Sequence, residues 1–431
     1  MTTAPIRRRS PRRSPGRLPG RSQLCSPLRN RDFALVVSSS LVSDTGDWLL
    51  MIALPLYVFA ATGSALGAST VFIAELLPVL VFGPVLGVLV DRFDHRRTMI
   101  ALNLAQSLAL LPLLLATPDR LWIVYLVAAV QAGLAAGLQP ARQALLPRLM
   151  SAQQLGSANS LVAVSDNIAR LVGSPLGGIV FATLGLGGVV VMDIASYLVS
   201  AVLLLLARVD APAGAISAPG VGLLRDMAAG FSTIRNTPPL GVVLVIECLA
   251  ALAQGVFLVL FVVFVVRILG ANDTEVGLLR GVQAIGGILG GLVVGLLFRR
   301  LSTHSLIGWG FVVFGAIALV TWNFAPVSTV VVVYVALFVA MGIPAIATTA
   351  GTITLVQGIT PAGSIGRVVA TMGTLGLAAQ GVGLVTAGIL ADHIGVLPIL
   401  DAQAALYLVC GVLALLFLRT PPGLAAPSPS A

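Results

Sequence analysis

The sequence predicts an all-α membrane protein with twelve transmembrane helices in two pseudo-symmetric six-helix bundles. Three observations carry that expectation. Of 431 residues, 58% are hydrophobic and 10% charged, against roughly 25% charged in an ordinary globular chain. The apolar residues come in blocks of about 20, the length of helix that crosses a bilayer. The 25 basic residues are all arginine, and they gather on one side of those blocks.

Residues 1–32 form an Arg/Pro/Ser/Gly-rich tail, expected to be disordered and cytoplasmic. It holds nine arginines, Arg7 through Arg31. The net charge of +9 could suggest nucleic acid, but a polybasic arm beside a membrane points to the cytoplasmic face and anionic lipid instead. No nucleic-acid partner is expected. Spans follow near 33–60, 66–90, 98–116, 121–142, 157–182, 188–208, 239–266, 274–298, 304–324, 327–356, 365–391 and 396–418. With both ends inside, the inner segments hold 21 arginines and the outer ones three, Arg120, Arg267 and Arg280. Arg142 and Arg148 count among the inner ones, and Arg170 alone falls deep in a span. Basic residues mark the cytoplasmic side, and moving the frame by one span would invert the bias.

The N-terminal bundle is 33–208 and the C-terminal bundle 239–419, ahead of a cytoplasmic tail at 420–431. The linker 209–238 carries Leu223, Leu224, Met227, Phe231 and Ile234 at helical spacing, which predicts a short amphipathic helix on the inner surface. The halves read as a repeat. Gly83, Gly87, Arg96 and Arg97 map onto Gly286, Gly290, Arg299 and Arg300, and Gly173, Gly178 and Gly185 onto Gly383, Gly388 and Gly395, at nearly equal offsets. Gly-xxx-Gly leaves a helix with a bare stripe where a neighbouring backbone comes close.

Acids inside spans cost about 2.5–3.5 kcal/mol on insertion scales and are functional candidates by default. They are Asp44 and Asp47 in span one, Glu75 in span two, Asp166 in span five with Arg170, and Glu247 in span seven. Asp44 and Asp47 are three apart and share a face with Trp48. Two carboxylates so placed in low dielectric resist joint ionisation, which suits a proton carrier; a cap at Gly46 or a pairing with arginine is the plainer reading. Asp166 and Arg170, four apart, suggest an internal ion pair, or an Arg170 that reaches Asp44 or Asp47. Glu247 with Gln254 two turns on suggests a second titrating group or an inner gate. Trp48, Gln254 and Phe257 are the expected cavity walls. Asp193 and Asp401 lie nearer the outer ends and read as structural.

No enzyme chemistry emerges. The three His and three Cys lack metal or redox spacing, and a chain without lysine has no phosphate-binding loop of the Gly-Lys-Ser/Thr kind. No metal or cofactor is expected. A small-molecule substrate, protons and the lipid bilayer are the expected partners of a monomer.

Gly87-Val-Leu-Val-Asp91-Arg92-Phe93-Asp94-His95-Arg96-Arg97 resembles the signature between spans two and three of the major facilitator superfamily. The resemblance implies an inner-gate role for Gly87, Asp91, Arg92, Arg96 and Arg97, with Asp91 facing the start of span eleven near Gly366. Gly173-Ser174-Pro175-Leu176-Gly177-Gly178 is similar to that family's antiporter motif, which places Gly173, Pro175, Gly177 and Gly178 in a bent, tightly packed span five. The family's span-four arginine has no counterpart in Ala128 to Gly133, and Arg170 is the expected substitute. Ser43 to Trp48, Pro140 to Pro147, Ala158 to Leu161 and Asp193 to Tyr197 resemble the branch of macrolide-efflux and enterobactin-exporter proteins. The likeness implies a bacterial inner (plasma) membrane exporter of a drug-like or siderophore-like molecule, working by alternating access and coupled to protons. A solute importer of the same fold and a non-transporting receptor are the alternatives.

Overall fold

A computed structural model describes residues 26–90, 93–151, 153–208, 223–297 and 301–418. Eleven of its helices are long and apolar enough to cross a membrane. One of them, Leu155–Leu206, has 52 residues, and its helical dihedrals break at Gly185 (φ 66°). At 1.5 Å per residue it would be twice the thickness of a bilayer. Divided at Gly185 it is spans five and six, and the total is the expected twelve.

The order is span one Arg31–Thr62, two Ala65–Val90, three His95–Leu110 and four Trp122–Ala135, the last continued by Leu138–Leu149. The second half has span seven Pro238–Val263, eight Asp273–Leu297, nine Thr303–Asn323, ten Val331–Ile359, eleven Ile365–Ile394 and twelve Val396–Phe417. Sequence-encoded signals set the ends. Asn30 caps span one, accepting from the amides of Asp32 and Phe33, and Asp94 caps span three through Arg97 N; each satisfies amides that a helix start leaves free. The repeat shows in the turns. Gly63 and Gly270, which follow spans one and seven, have φ of 63° and 64°, and Gly185 and Gly395, between spans five and six and spans eleven and twelve, have 66° and 88°. Equivalent turns demand the same left-handed backbone, which only glycine adopts freely.

Two expectations need correction. Residues 26–32, assigned to a disordered tail, are ordered: Ser26–Arg29 is a 3-10 turn, and the Asn30 amide also donates to Leu149 O at 3.1 Å. The linker helix forms, as Leu223–Asn236, but Phe231 is off its packed face, at 51% exposure, while Ile234 is buried. This helix seats on span eleven, where Gly230 lies against Arg367 and Thr371. Residues 1–25, 209–222 and 419–431 lie outside the described residues.

The halves meet along two seams. Span five meets span eight, where a Cβ at Gly277 would collide with Ser174 O and one at Gly281 would touch the Pro175 ring. Span two meets span eleven, where one at Gly388 would collide with Ser69. A continuous core joins Ile52, Leu56, Phe59, Ala68 and Phe72 of the first half to Val256 through Val265 of the second. These contacts lie toward the side away from the chain ends. There Arg267 donates to Gly63 O and pairs with Asp392 at 3.6 Å, while Asp392 accepts from Ser64 Oγ at 2.7 Å. The halves are closed on that far side. The bare stripe predicted for the second copy is used within its own half: Cβ atoms at Gly286 and Gly290 would collide with or crowd the backbone of span ten.

Candidate functional site

Arg142 organises the intramembrane charges of the first half. The short helix Leu138–Leu149 continues span four and buries this side chain to 5% exposure. Its guanidinium holds Asp44 at 3.2 Å, Asp166 at 3.1 Å and Gln139 Oε1 at 3.0 Å. Two expectations fall. Arg142, counted among the inner-side arginines at the expected end of span four, is buried inside the half, and Asp166 pairs with it rather than with Arg170. A cavity of about 370 Å³ on the side of the chain ends is lined by Arg142, Asp166, Asn159 and Gln139. The signal was there, because two acids at 44 and 166 needed a base. Span four is expected to end at 142, so the helix that carries on to Leu149 is not anticipated.

Arg170 reaches neither Asp44 nor Asp47. It bonds to Gln283 of span eight and stands over the Trp48 ring at 5.2 Å. Arg280, counted among outer residues, is buried at 6% exposure, because its long side chain turns inward from span eight to lie over Phe257 at 5.0 Å. Phe257 is therefore no cavity wall; its ring packs on Phe261, Trp322 and Phe338. The bias of arginines toward one side survives the loss of one residue from each.

Asp47 has separate partners. It accepts from Tyr197 Oη, and Tyr197 in turn accepts from Gln106 Nε2 at 3.0 Å. Asp47, Glu75, Gln106, Gln131 and Tyr197 line one cavity of about 480 Å³, closed on its other side by Leu258, Leu377 and Gln380 of the second half. Asp193, expected near water, is fully buried. It packs where Gly46 has no side chain, accepts from Ser196 at 3.1 Å and leaves Oδ2 without a partner. Sequence reasoning missed Tyr197 and Asp193 as neighbours of Asp47, although it singled out their motif. Asp401 is held by Asn323 at 2.6 Å, a structural role.

Removing the Tyr197 hydroxyl tests this grouping. Tyr197→Phe takes a donor from a carboxylate, a bond worth about 1.5 kcal/mol or more, or roughly tenfold. Transport is expected to fall by about that factor and its pH profile to move, with unchanged protein yield. An unmoved pH profile would reduce Tyr197 to packing.

The second half holds a larger cavity, about 800 Å³, lined by Glu247, Gln254, Phe311, Phe314, Thr352, Gln357 and Tyr407. Thr352 and Glu247 stand on the same cavity wall. Glu247 and Gln254 both line this cavity. The two cavities share Leu377 and Gln380 of span eleven.

The glycines of the antiporter-like motif pack as their size demands. Cβ atoms at Gly173 and Gly177 would collide with the span-one backbone at Thr45 and Leu49, and one at Gly178 with Asp273 O of span eight. Pro175 lies inside span five. Of the inner-gate residues, Asp91 and Arg92 lie outside the described residues, as do the surroundings of Gly87. Arg96 stays within its half, donating to Leu204 O and Leu205 O at 2.8 Å each. It caps the end of span six, where carbonyls lack helical partners. The Arg97 side chain is exposed.

A multi-pass helical protein with two packed halves, a seam closed on one side, and polar cavities between and within the halves has the architecture of a membrane transporter. The chain belongs to the family described as transmembrane secretion effector, within the major facilitator superfamily, and matches it over residues 22–430. It is 29% identical over 400 residues to the multidrug efflux pump Tap of Mycolicibacterium fortuitum, covering 89% of this chain and 95% of that one. It is 23% identical over 353 residues to macrolide efflux protein A of Streptococcus pyogenes, covering 81% and 86%. Among solved structures, a bacterial homologue of the iron transporter ferroportin in its inward-facing state superposes with a TM-score of 0.71 at 16% identity, covering 89% of this chain and 98% of that one. That likeness shows the shared fold.

Proposed function

We propose that the chain is a proton-coupled exporter that moves a drug-like or siderophore-like small molecule across the bacterial inner membrane by alternating access. It acts as a monomer, with both termini cytoplasmic and the halves 33–208 and 239–419 as the rocking units. The carrying observation is that Asp47 and Glu75 face one cavity and Glu247 another, beneath a seam closed on the far side. A carboxyl group open to a cavity can exchange a proton when the cavity meets water on each side in turn. Coupling then needs proton and cargo to favour different orientations. Asp44 and Asp166, already paired with Arg142, hold the framework in which Asp47 works, and the efflux relatives support the outward direction.

Uptake of dye or labelled drug into inverted vesicles under an imposed pH gradient tests this. Wild-type protein accumulates cargo only with the gradient. Asp47→Asn abolishes gradient-driven accumulation, at least tenfold below wild type, and leaves the thermal midpoint near wild type. Equal accumulation with and without the gradient defeats proton coupling, and undiminished transport by Asp47→Asn removes Asp47 from it.

A further inference from the structure

Arg170 and Arg280 form a pattern that the carboxylate networks do not use. Arg170 belongs to span five of the first half and Arg280 to span eight of the second, at the seam where the two helices touch. Both guanidinium groups face the Trp48 ring, at 5.2 and 6.0 Å from its centroid. Arg280 also lies 5.0 Å from the Phe257 ring and 5.8 Å from Phe261. Among the described residues no carboxylate stands within ion-pair distance of either arginine; the nearby acids are engaged elsewhere, Asp44 and Asp166 by Arg142 and Asp47 by Tyr197. Among the described residues their one hydrogen-bond partner is the neutral Gln283, and Arg170 Nε is buried without a partner there.

Two cations so placed repel in low dielectric, and aromatic faces return only part of the cost of taking them from water. An apolar pair of the same volume would be the more stable packing. The groups make sense when a negative charge visits them. We propose that Arg170, Arg280 and Trp48 form an anion-binding site between the halves, taking the carboxylate of an amphipathic organic cargo. Guanidinium forks match a carboxylate in two parallel hydrogen bonds, and the half-buried Trp48 ring beside them offers a face to the apolar body. The cluster lies close to both cavities along the chain: Gln254 of the larger is one turn before Phe257, and Met51 of the other is one turn after Trp48. Because one arginine stands on each half, a bound anion draws the halves together, and an empty site leaves like charges pressing them apart. This deepens the exporter reading by naming its cargo class, and it rests on that reading only for the term cargo.

The test is equilibrium binding to the purified full-length protein in phosphatidylcholine nanodiscs, without any gradient. The probes are 2-naphthoate and the size-matched cation 2-naphthylmethylammonium, followed by calorimetry and thermal unfolding. Wild-type protein is expected to bind naphthoate in preference to the ammonium and to unfold at a higher temperature with it. Arg280→Gln and Arg170→Gln each weaken naphthoate by about 30-fold or more, the loss of one charged partner in a desolvated site, and Arg280→Lys retains part of the affinity. Should Arg280→Gln fail to fold, Arg170→Gln and Arg280→Lys carry the comparison. Wild-type affinity in Arg170→Gln, no naphthoate binding at millimolar concentration, or preferential ammonium binding lost in Glu247→Gln overturns the site. Naphthoate binding that persists while gradient-driven export is absent sustains the site and defeats only proton exchange.

Discussion

Arg142→Gln is expected to be the most damaging single substitution in the first half. It removes the one cation between Asp44 and Asp166 and leaves two carboxylates facing each other. Breaking a fully buried pair costs about 3–5 kcal/mol. Here the carboxylates are 29% and 43% exposed, so solvent screens part of that and about 2–3 kcal/mol remains. Most domains have only 5–15 kcal/mol in total, so the variant should show a lowered unfolding temperature and poor yield. Asp166→Asn, at the more exposed partner, is expected to cost under about 1 kcal/mol. The double variant Asp44→Asn/Arg142→Gln recovers part of the loss, because the more buried carboxylate goes with its counter-charge. An unfolding temperature for Arg142→Gln equal to that of wild type would show that the trio contributes nothing to the fold.

Gly277→Val is expected to act on conformation more than on folding. Its Cβ would collide with Ser174 O across the seam between halves, and backbone cannot move aside as a side chain does. Overpacking of this kind costs about 1–3 kcal/mol, here charged to the far-side-closed state alone. That shifts its population by about 5- to 150-fold. Ala68, buried in the core that joins the halves, reports the change. In an Ala68→Cys background, labelling by an impermeant maleimide from outside the cell should quicken by a similar factor. Gly383→Val gives the contrast, since its Cβ would collide with Leu252 O inside the second half. It should lower stability without quickening the labelling. Equal labelling rates for Gly277→Val and its parent would mean that this seam does not control access.

What the sequence disclosed follows from which forces are local. Apolar runs, helix caps and turn glycines act within a few residues, so twelve spans, their repeat and the break at Gly185 were legible. The grouping of acids was partly legible: Asp44, Asp47, Asp166 and Glu247 were chosen because lipid rejects them. Their partners were not, because pairing is tertiary. Arg142 stands at the expected end of span four, where a basic residue reads as marking the inner surface rather than as a partner for buried acids. Arg280 was misjudged because position along a helix fixes the Cα, while a long side chain carries its charge several ångströms away. Tyr197 reaches Asp47 from a helix 150 residues further along the chain, and no spacing rule connects them.

The clasp on the far side has a consequence for where such a protein works. Its ion pair, Arg267 with Asp392, is 41% and 31% exposed, so dissolved salt weakens it within a Debye length of about 8–10 Å. The contact of Arg267 with the Phe59 ring and its bond to Gly63 O are far less affected. In the proposed orientation that clasp faces the medium, and the salinity of a habitat becomes a weak setting on how readily the resting gate springs open.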